Sequence, residues 1–286
     1  MSLYLLPVGF ALFIWWFSTG LIIFLDHLPQ RTFPYSLLAA SLLCGYAFHT
    51  LGQISDDTSV HAAYVGFACA LAVWGWQEMS FLMGIITGPR RRACPHDCHG
   101  FAHFIHGVQV VIYHELAIMA GAAAIIGFSW GGANQVATWT YAILWGMRIS
   151  AKLNLFAGVR NVSEKFLPDH LRYLGSFFRQ RPMNALLPVS VTVGIVLSVL
   201  LIKRAADPQA TPFEATSSTF LAAMMVLGVV EHWFLVIPVP FEALWNMYLR
   251  AREVAKPVVE RAVDEVVPEP GNSAVRPAQA AFRAVS

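Results

Sequence analysis

FAHFIHGVQVVIYHELAIMAGAAAIIGF, residues 101–128, runs for more than seven helical turns with one carboxylate, three histidines and no lysine or arginine. A span needs about 20 mostly apolar residues, because in hydrocarbon each backbone amide must be satisfied inside its own helix. This stretch meets that demand with residues to spare. The whole chain shares its character: it is 57% hydrophobic and 13% charged, with a mean hydropathy of +0.56. Soluble domains carry roughly a quarter charged residues. Six further apolar runs approach span length, at residues 4–25, 35–51, 61–87, 133–157, 184–204 and 217–238. The sequence predicts an all-α, polytopic integral membrane bundle of about seven transmembrane helices over residues 1–255.

Pro29 and Pro34 frame the first loop, Gly88-Pro89 closes the third run, and Gly131-Gly132 makes a tight turn before the fifth. The longest loop, residues 158–183, holds a surface-helix pattern near 168–181, with Leu171, Leu174 and Phe178 opposite Arg172 and Arg179. Its apolar stripe and its arginines, Arg160 and Arg181 included, predict a partner surface at the membrane face. Basic residues concentrate in alternate loops: Arg31, then Arg90, Arg91 and Arg92, then Arg160, Lys165, Arg172, Arg179 and Arg181. The tail adds Arg250, Arg252, Lys256 and Arg261, whereas the intervening loops hold Lys203 and Arg204. By the positive-inside bias the N-terminus lies outside and the C-terminus in the cytoplasm. With a net charge of +2, the basic residues read as orientation signals, and no nucleic-acid partner is expected. The first run lacks a positive n-region and a cleavage signal, so it is a retained span. Residues 256–286 read as a largely disordered cytoplasmic tail. Trp15, Trp16, Trp130 and Trp245 fit an interfacial belt.

Ionisable groups inside a span cost roughly 2.5–3.5 kcal/mol each on the insertion scale, so each asks for a partner or a purpose. The third run carries Glu78, the fourth His103, His106, His114 and Glu115, the fifth Arg148, Lys152 and Asn154, and the seventh Glu231 and His232. Counted at about 1.5 Å per residue, all of them fall in the cytoplasmic half. His103, His106 and His114 share one helix face, with Glu115 a quarter-turn round. Three readings stand. The cations neutralise the acids as structural pairs, and the histidines hydrogen-bond across the bundle. Alternatively Glu78, His103, His106, His114, Glu115, Glu231 and His232 supply ligands for iron or another transition metal. No clean Glu-x-x-His pair is present, and His103 and His114 lie about 16 Å apart along the axis, too far to share one ion. In the third reading, His106, His114 or His232 is the axial ligand of a haem, porphyrin or (bacterio)chlorophyll.

Cys44 and Cys69 lie in apolar runs, and Cys94 and Cys98 in a loop beside three arginines, so no disulfide framework is expected. The loop sequence CPHDCHG gathers Cys94, His96, Cys98 and His99 as a small zinc or iron knuckle would. A structural site needs a second ligand pair, and without one in view the expectation is ordinary reduced loop cysteines. No lysine stands in the apolar stretch of the seventh run, which removes retinal chemistry. No Gly-rich phosphate loop is present, which argues against a nucleotide-driven pump.

Three strings are more particular: YHELAIMAG from Tyr113, LWGMRISAKLNLFAGVRN from Leu144 and EKFLPDHLRYLGSFFRQRPMNALLP from Glu164. On these the chain resembles the PuhE-type photosynthetic complex assembly proteins of purple phototrophic bacteria, to about residue 255. The resemblance implies an inner-membrane protein, encoded among photosynthesis genes, that helps reaction-centre and light-harvesting complexes form or affects bacteriochlorophyll supply. It implies as partners the subunits of those complexes and possible pigment, beside the lipid bilayer. It carries no catalytic residues over. Two expectations follow: a non-catalytic assembly factor, or a metal-dependent oxidoreductase of a hydrophobic pigment precursor built on the carboxylate and histidine set above.

Overall fold

The computed structural model describes residues 2–95, 98–162 and 167–237. Its helices are α1 (Ser2–Asp26), α2 (Phe33–Gln53), α3 (Val60–Leu82), α4 (Gly100–Phe128), α5 (Val136–Ala157), α6 (Leu186–Ala205) and α7 (Pro212–Phe234), and the described residues contain no strand. Four helical segments are long and apolar enough to cross a membrane: Leu3–Asp26, Gly100–Phe128, Leu186–Ala205 and Pro212–Phe234. They imply a lipid environment for the chain. α2, α3 and α5 match them in length at 21, 23 and 22 residues.

α3 is the central helix, packing on α1, α2, α4, α5 and α7. Its small residues Ala62, Ala63, Gly66 and Ala70 are buried and let neighbours approach closely. Between α2, α3, α4 and α5 the core is Leu51, Cys69, Val73, Ile118, Ile125 and Tyr141. Between α1, α3 and α7 it is aromatic: the Phe67 and Phe220 rings stack at 4.4 Å, with Tyr64 edge-on to Phe220 at 4.8 Å.

Local chemistry sets several boundaries. Ser59 accepts from the Ala62 N–H and starts α3. Thr211 and Glu214 form a capping box with Pro212 in the first turn, so α7 begins five residues before the apolar run at 217. The third run, expected to stay helical to residue 87, departs more. α3 ends at Leu82, Gly84 takes φ +73°, and the His170 Nε2–H donates to the freed Leu82 carbonyl at 2.8 Å. Residues 85–88 therefore leave the helix as irregular chain: the Ile85 and Ile86 N–H groups fold back to the Ser80 carbonyl, and the segment beyond lies against α4. The His114 backbone N–H donates to the Thr87 carbonyl at 3.0 Å, and the Arg90 N–H to the Gln109 carbonyl at 3.3 Å. Hydropathy alone does not separate such a strap, buried only at Thr87 and Gly88, from helix.

The stripe near 168–181 also differs from expectation. Asp169–Phe177 is a 3-10 helix, whose three-residue period aligns Leu171, Leu174 and Phe177, not Phe178. All three are buried against Phe81 and Val110, so the stripe faces the protein interior and offers no apolar partner surface.

Loops gather at the two ends of the bundle. Asn134, after the α4–α5 turn, bonds to Ser55 and Asp57 of the α2–α3 connection and to Ala62 in the first turn of α3. At the other end the Phe33 ring meets His170 at 6.2 Å, and the Asn161 N–H donates to the Leu235 carbonyl beyond α7. That second end carries Arg31, Arg90, Arg91, Arg92, Arg160, Arg172, Arg179 and Arg181. Trp245, Lys165, Arg250, Arg252, Lys256, Arg261, residue 238 of the seventh run and the tail 256–286 lie outside the described residues.

Candidate functional site

The structure divides the candidate residues into an interior charge network and a cluster at the arginine-rich end. α5 presents Arg148 and Lys152 one turn apart, and each captures one acid. Arg148 Nη2 lies 2.5 Å from Glu78 Oε2 on α3, and Lys152 Nζ lies 2.5 Å from Glu115 Oε1 on α4. Trp145 Nε1–H reaches the other Glu115 oxygen at 3.4 Å. On α7, Glu231 accepts from Trp15 Nε1–H of α1 at 3.1 Å. Belt position alone therefore under-describes Trp15, which bonds an acid on a neighbouring helix 216 residues away in sequence.

The interior histidines are closed off. His232 Nδ1 is 2.7 Å from the Gly228 carbonyl and its Nε2 is 2.8 Å from Ser150 Oγ. Donation to the carbonyl leaves Nε2 to accept from the serine, so both ring nitrogens are engaged. His114 is fully enclosed, its ring 4.5 Å from that of Phe81, and neither ring nitrogen has a hydrogen-bond partner among the described residues. Glu78, His114, Glu115, Glu231 and His232 thus do not converge as a common ligand set. The physical reason is that α5 places a cation opposite Glu78 and Glu115, and a paired carboxylate is cheaper in the bilayer than one aimed at neutral imidazole.

His103 and His106 stand apart, in the first turns of α4, and meet the cysteine loop. Among the described residues, one group of three ligand atoms from His, Cys, Asp or Glu lies close enough to share an ion: Cys94, Cys98 and His106, all within 4.8 Å of one another. Cys98 Sγ is 3.1 Å from His106 Nδ1, and Cys94 Sγ is 3.9 Å from it. His103 Nδ1 lies 3.1 Å from Cys94 Sγ. Cys94 and Cys98 are reduced thiols, as the sequence leads one to expect, and they stand beside two imidazoles of α4. The spacing Cys-x3-Cys-x4-His-x2-His in the sequence brings the loop thiols onto the first turns of the helix that the loop feeds. Of the other knuckle candidates, His99 is exposed at the N-cap of α4 and His96 lies outside the described residues.

Beside the cluster, His103 is sandwiched between Phe156 and Phe177, with ring centroids at 5.1 and 5.7 Å. The same two phenylalanines line an apolar cleft of about 140 Å³ with Phe104, Gly107, Val111 and Phe178, reaching down to Lys152. Drug-sized ligands need roughly 300–1,000 Å³, so this cleft holds a tail or an edge rather than a whole macrocycle.

Membrane-length apolar helices with partly buried charge pairs between α3, α4 and α5 define a helical membrane protein that gathers thiols and imidazoles at one end. The chain belongs to the family described as "Protein of unknown function (DUF3623)", whose model matches residues 1–256. It is 36% identical over 260 residues to the "Uncharacterized 30.4 kDa protein in puhA 5'region" of Rhodobacter capsulatus, covering 88% of this chain and 94% of that protein. No solved structure matches it.

Proposed function

We propose that this protein is a multi-pass inner-membrane assembly factor for photosynthetic reaction-centre and light-harvesting complexes, of the PuhE type, acting on bacteriochlorophyll supply or delivery. The observation that carries the reading is the position of its relative, 5′ of puhA in a phototroph. In this reading all seven helices span, with the N-terminus outside and the arginine-rich end in the cytoplasm. Support comes from the comparable lengths of the seven helices and from the gathering of alternate loops at one end. The partners are photosynthetic subunits and pigment within the bilayer.

The ion pairs favour this reading over an oxidoreductase built on Glu78 and Glu115. Both acids are already neutralised by cations, as a structural network requires and a redox metal site does not. The test is deletion of the relative's gene in Rhodobacter capsulatus and complementation with this chain. Near-infrared absorption of the membranes is expected to show a several-fold fall in assembled complexes, restored by this chain. Unchanged complexes in the deletion strain overturn the proposal.

A further inference from the structure

We propose that Cys94, Cys98 and His106 bind one zinc-class divalent ion through three protein ligands, with His103 holding the Cys94 sulfur in place. The inference stands on the local geometry and is independent of the photosynthetic reading.

The donor set comes first. Thiolate and imidazole together are the ligands of zinc, and a tetrahedral sulfur and nitrogen site excludes magnesium and calcium, which take oxygen. Zn–S bonds of about 2.3 Å and Zn–N bonds of about 2.0 Å meeting tetrahedrally put sulfur and nitrogen roughly 3.6 Å apart. The two observed separations to His106 Nδ1, 3.1 and 3.9 Å, bracket that value. Both cysteines are free thiols and, like His106, half-buried, so the site is sheltered yet reachable.

The Cys94 N–H donates to Ser176 Oγ at 2.9 Å, which ties the ligand loop to the 3-10 segment. His103 reaches Cys94 but not the whole group, and Phe156 and Phe177 clamp its ring. A buried imidazole N–H on a ligating sulfur is an orienting contact, leaving the fourth coordination position for water or an exchangeable ligand. An ion here would link the α3–α4 loop to the first turns of α4, beside the cleft that ends at Lys152.

The test uses the full chain purified in detergent, with zinc content by elemental analysis and cobalt as spectroscopic probe. Wild type is expected to hold one zinc per chain and to show thiolate-to-cobalt charge-transfer bands on exchange. Cys98→Ser and His106→Gln should lose both. His103→Gln should keep the bands with affinity weakened about 10–100-fold. A second measurement needs no variant: zinc should shield Cys94 and Cys98 from maleimide, and a chelator should expose them. Equal zinc in wild type and Cys98→Ser, equal labelling with and without chelator, or a native Cys94–Cys98 disulfide overturns the site. Complete loss of the cobalt bands in His103→Gln overturns the open fourth position.

Discussion

Replacing Gly88 by alanine is expected to destabilise the bundle by about 3 kcal/mol or more, at the upper end of overpacking costs. A Cβ built there stands 2.1 Å from the Gln109 carbonyl oxygen and 2.6 Å from the Val110 carbonyl carbon. Both atoms belong to the backbone of α4, so no side-chain rotation relieves the clash. Either the strap 85–90 lifts away, breaking the His114-to-Thr87 and Arg90-to-Gln109 hydrogen bonds, or α4 shifts against its neighbours. Thermal or detergent unfolding of the purified protein measures the loss. Gly127→Ala is the control: nothing lies within 4 Å of that position, and alanine in a helix is expected to be neutral or to stabilise by up to about 1 kcal/mol. Because Cys94 follows the strap by only a few residues, Gly88→Ala should also weaken metal capture at the cysteine loop. Wild-type stability in Gly88→Ala would mean that the strap does not pack on α4 as described.

The strap shows where sequence reading stops. Gly88-Pro89 was visible as punctuation, and Gly84 was visible too, but only a positive φ identifies Gly84 as the residue that ends α3. Hydropathy gives Ile85 and Ile86 to the helix, because an apolar pair next to a span reads as its continuation whether or not the backbone stays helical. In the segment 169–177 the period decides: read at 3.6 residues per turn the stripe takes in Phe178, while the observed three-residue turn selects Phe177 and points it inward. Helix existence was legible because each apolar run is long and set off by proline, glycine or charge. The site was legible in halves. His103 and His106 were recognised as a helix face and the cysteines as a knuckle fragment, yet two arguments kept them apart. Helix periodicity groups the two histidines with His114 inside the span, and a knuckle looks for its second ligand pair farther along the chain. Chain entry into α4 joins them, since the loop turns at Gly100, φ +58°, directly onto the first helical turn. Pairing of acids with cations was foreseen as one reading, but which cation takes which acid depends on the rotation of α5 about its axis, and a run of sequence does not set that angle.

The Lys152 and Glu115 pair separates structure from chemistry. Lys152→Met leaves the Glu115 carboxylate without its cation in the middle of α4; the pair is only partly buried, so the expected loss is about 2 kcal/mol, below that of a fully buried pair. The lysine also sits 5.8 Å over the Phe81 ring, a contact that methionine only partly replaces. Adding Glu115→Gln removes the stranded charge, and its neutral amide still has Trp145 Nε1–H within reach of its carbonyl oxygen. The double variant is therefore expected to recover to within about 1 kcal/mol of wild type, since a neutral replacement of a buried pair is often nearly neutral in energy. Unfolding of the four proteins in one detergent completes the cycle. The functional arm is complementation of the deletion strain. If the charges serve only to hold α4 against α5, the double variant restores photosynthetic complexes while Lys152→Met alone does not. If Glu115 is a metal ligand or a proton carrier for chemistry on a pigment precursor, the double variant folds and inserts normally yet fails to complement. Stability regained without function would then locate the chemistry in the bundle interior, away from the Cys94 cluster, and would overturn the assembly reading in favour of an enzyme.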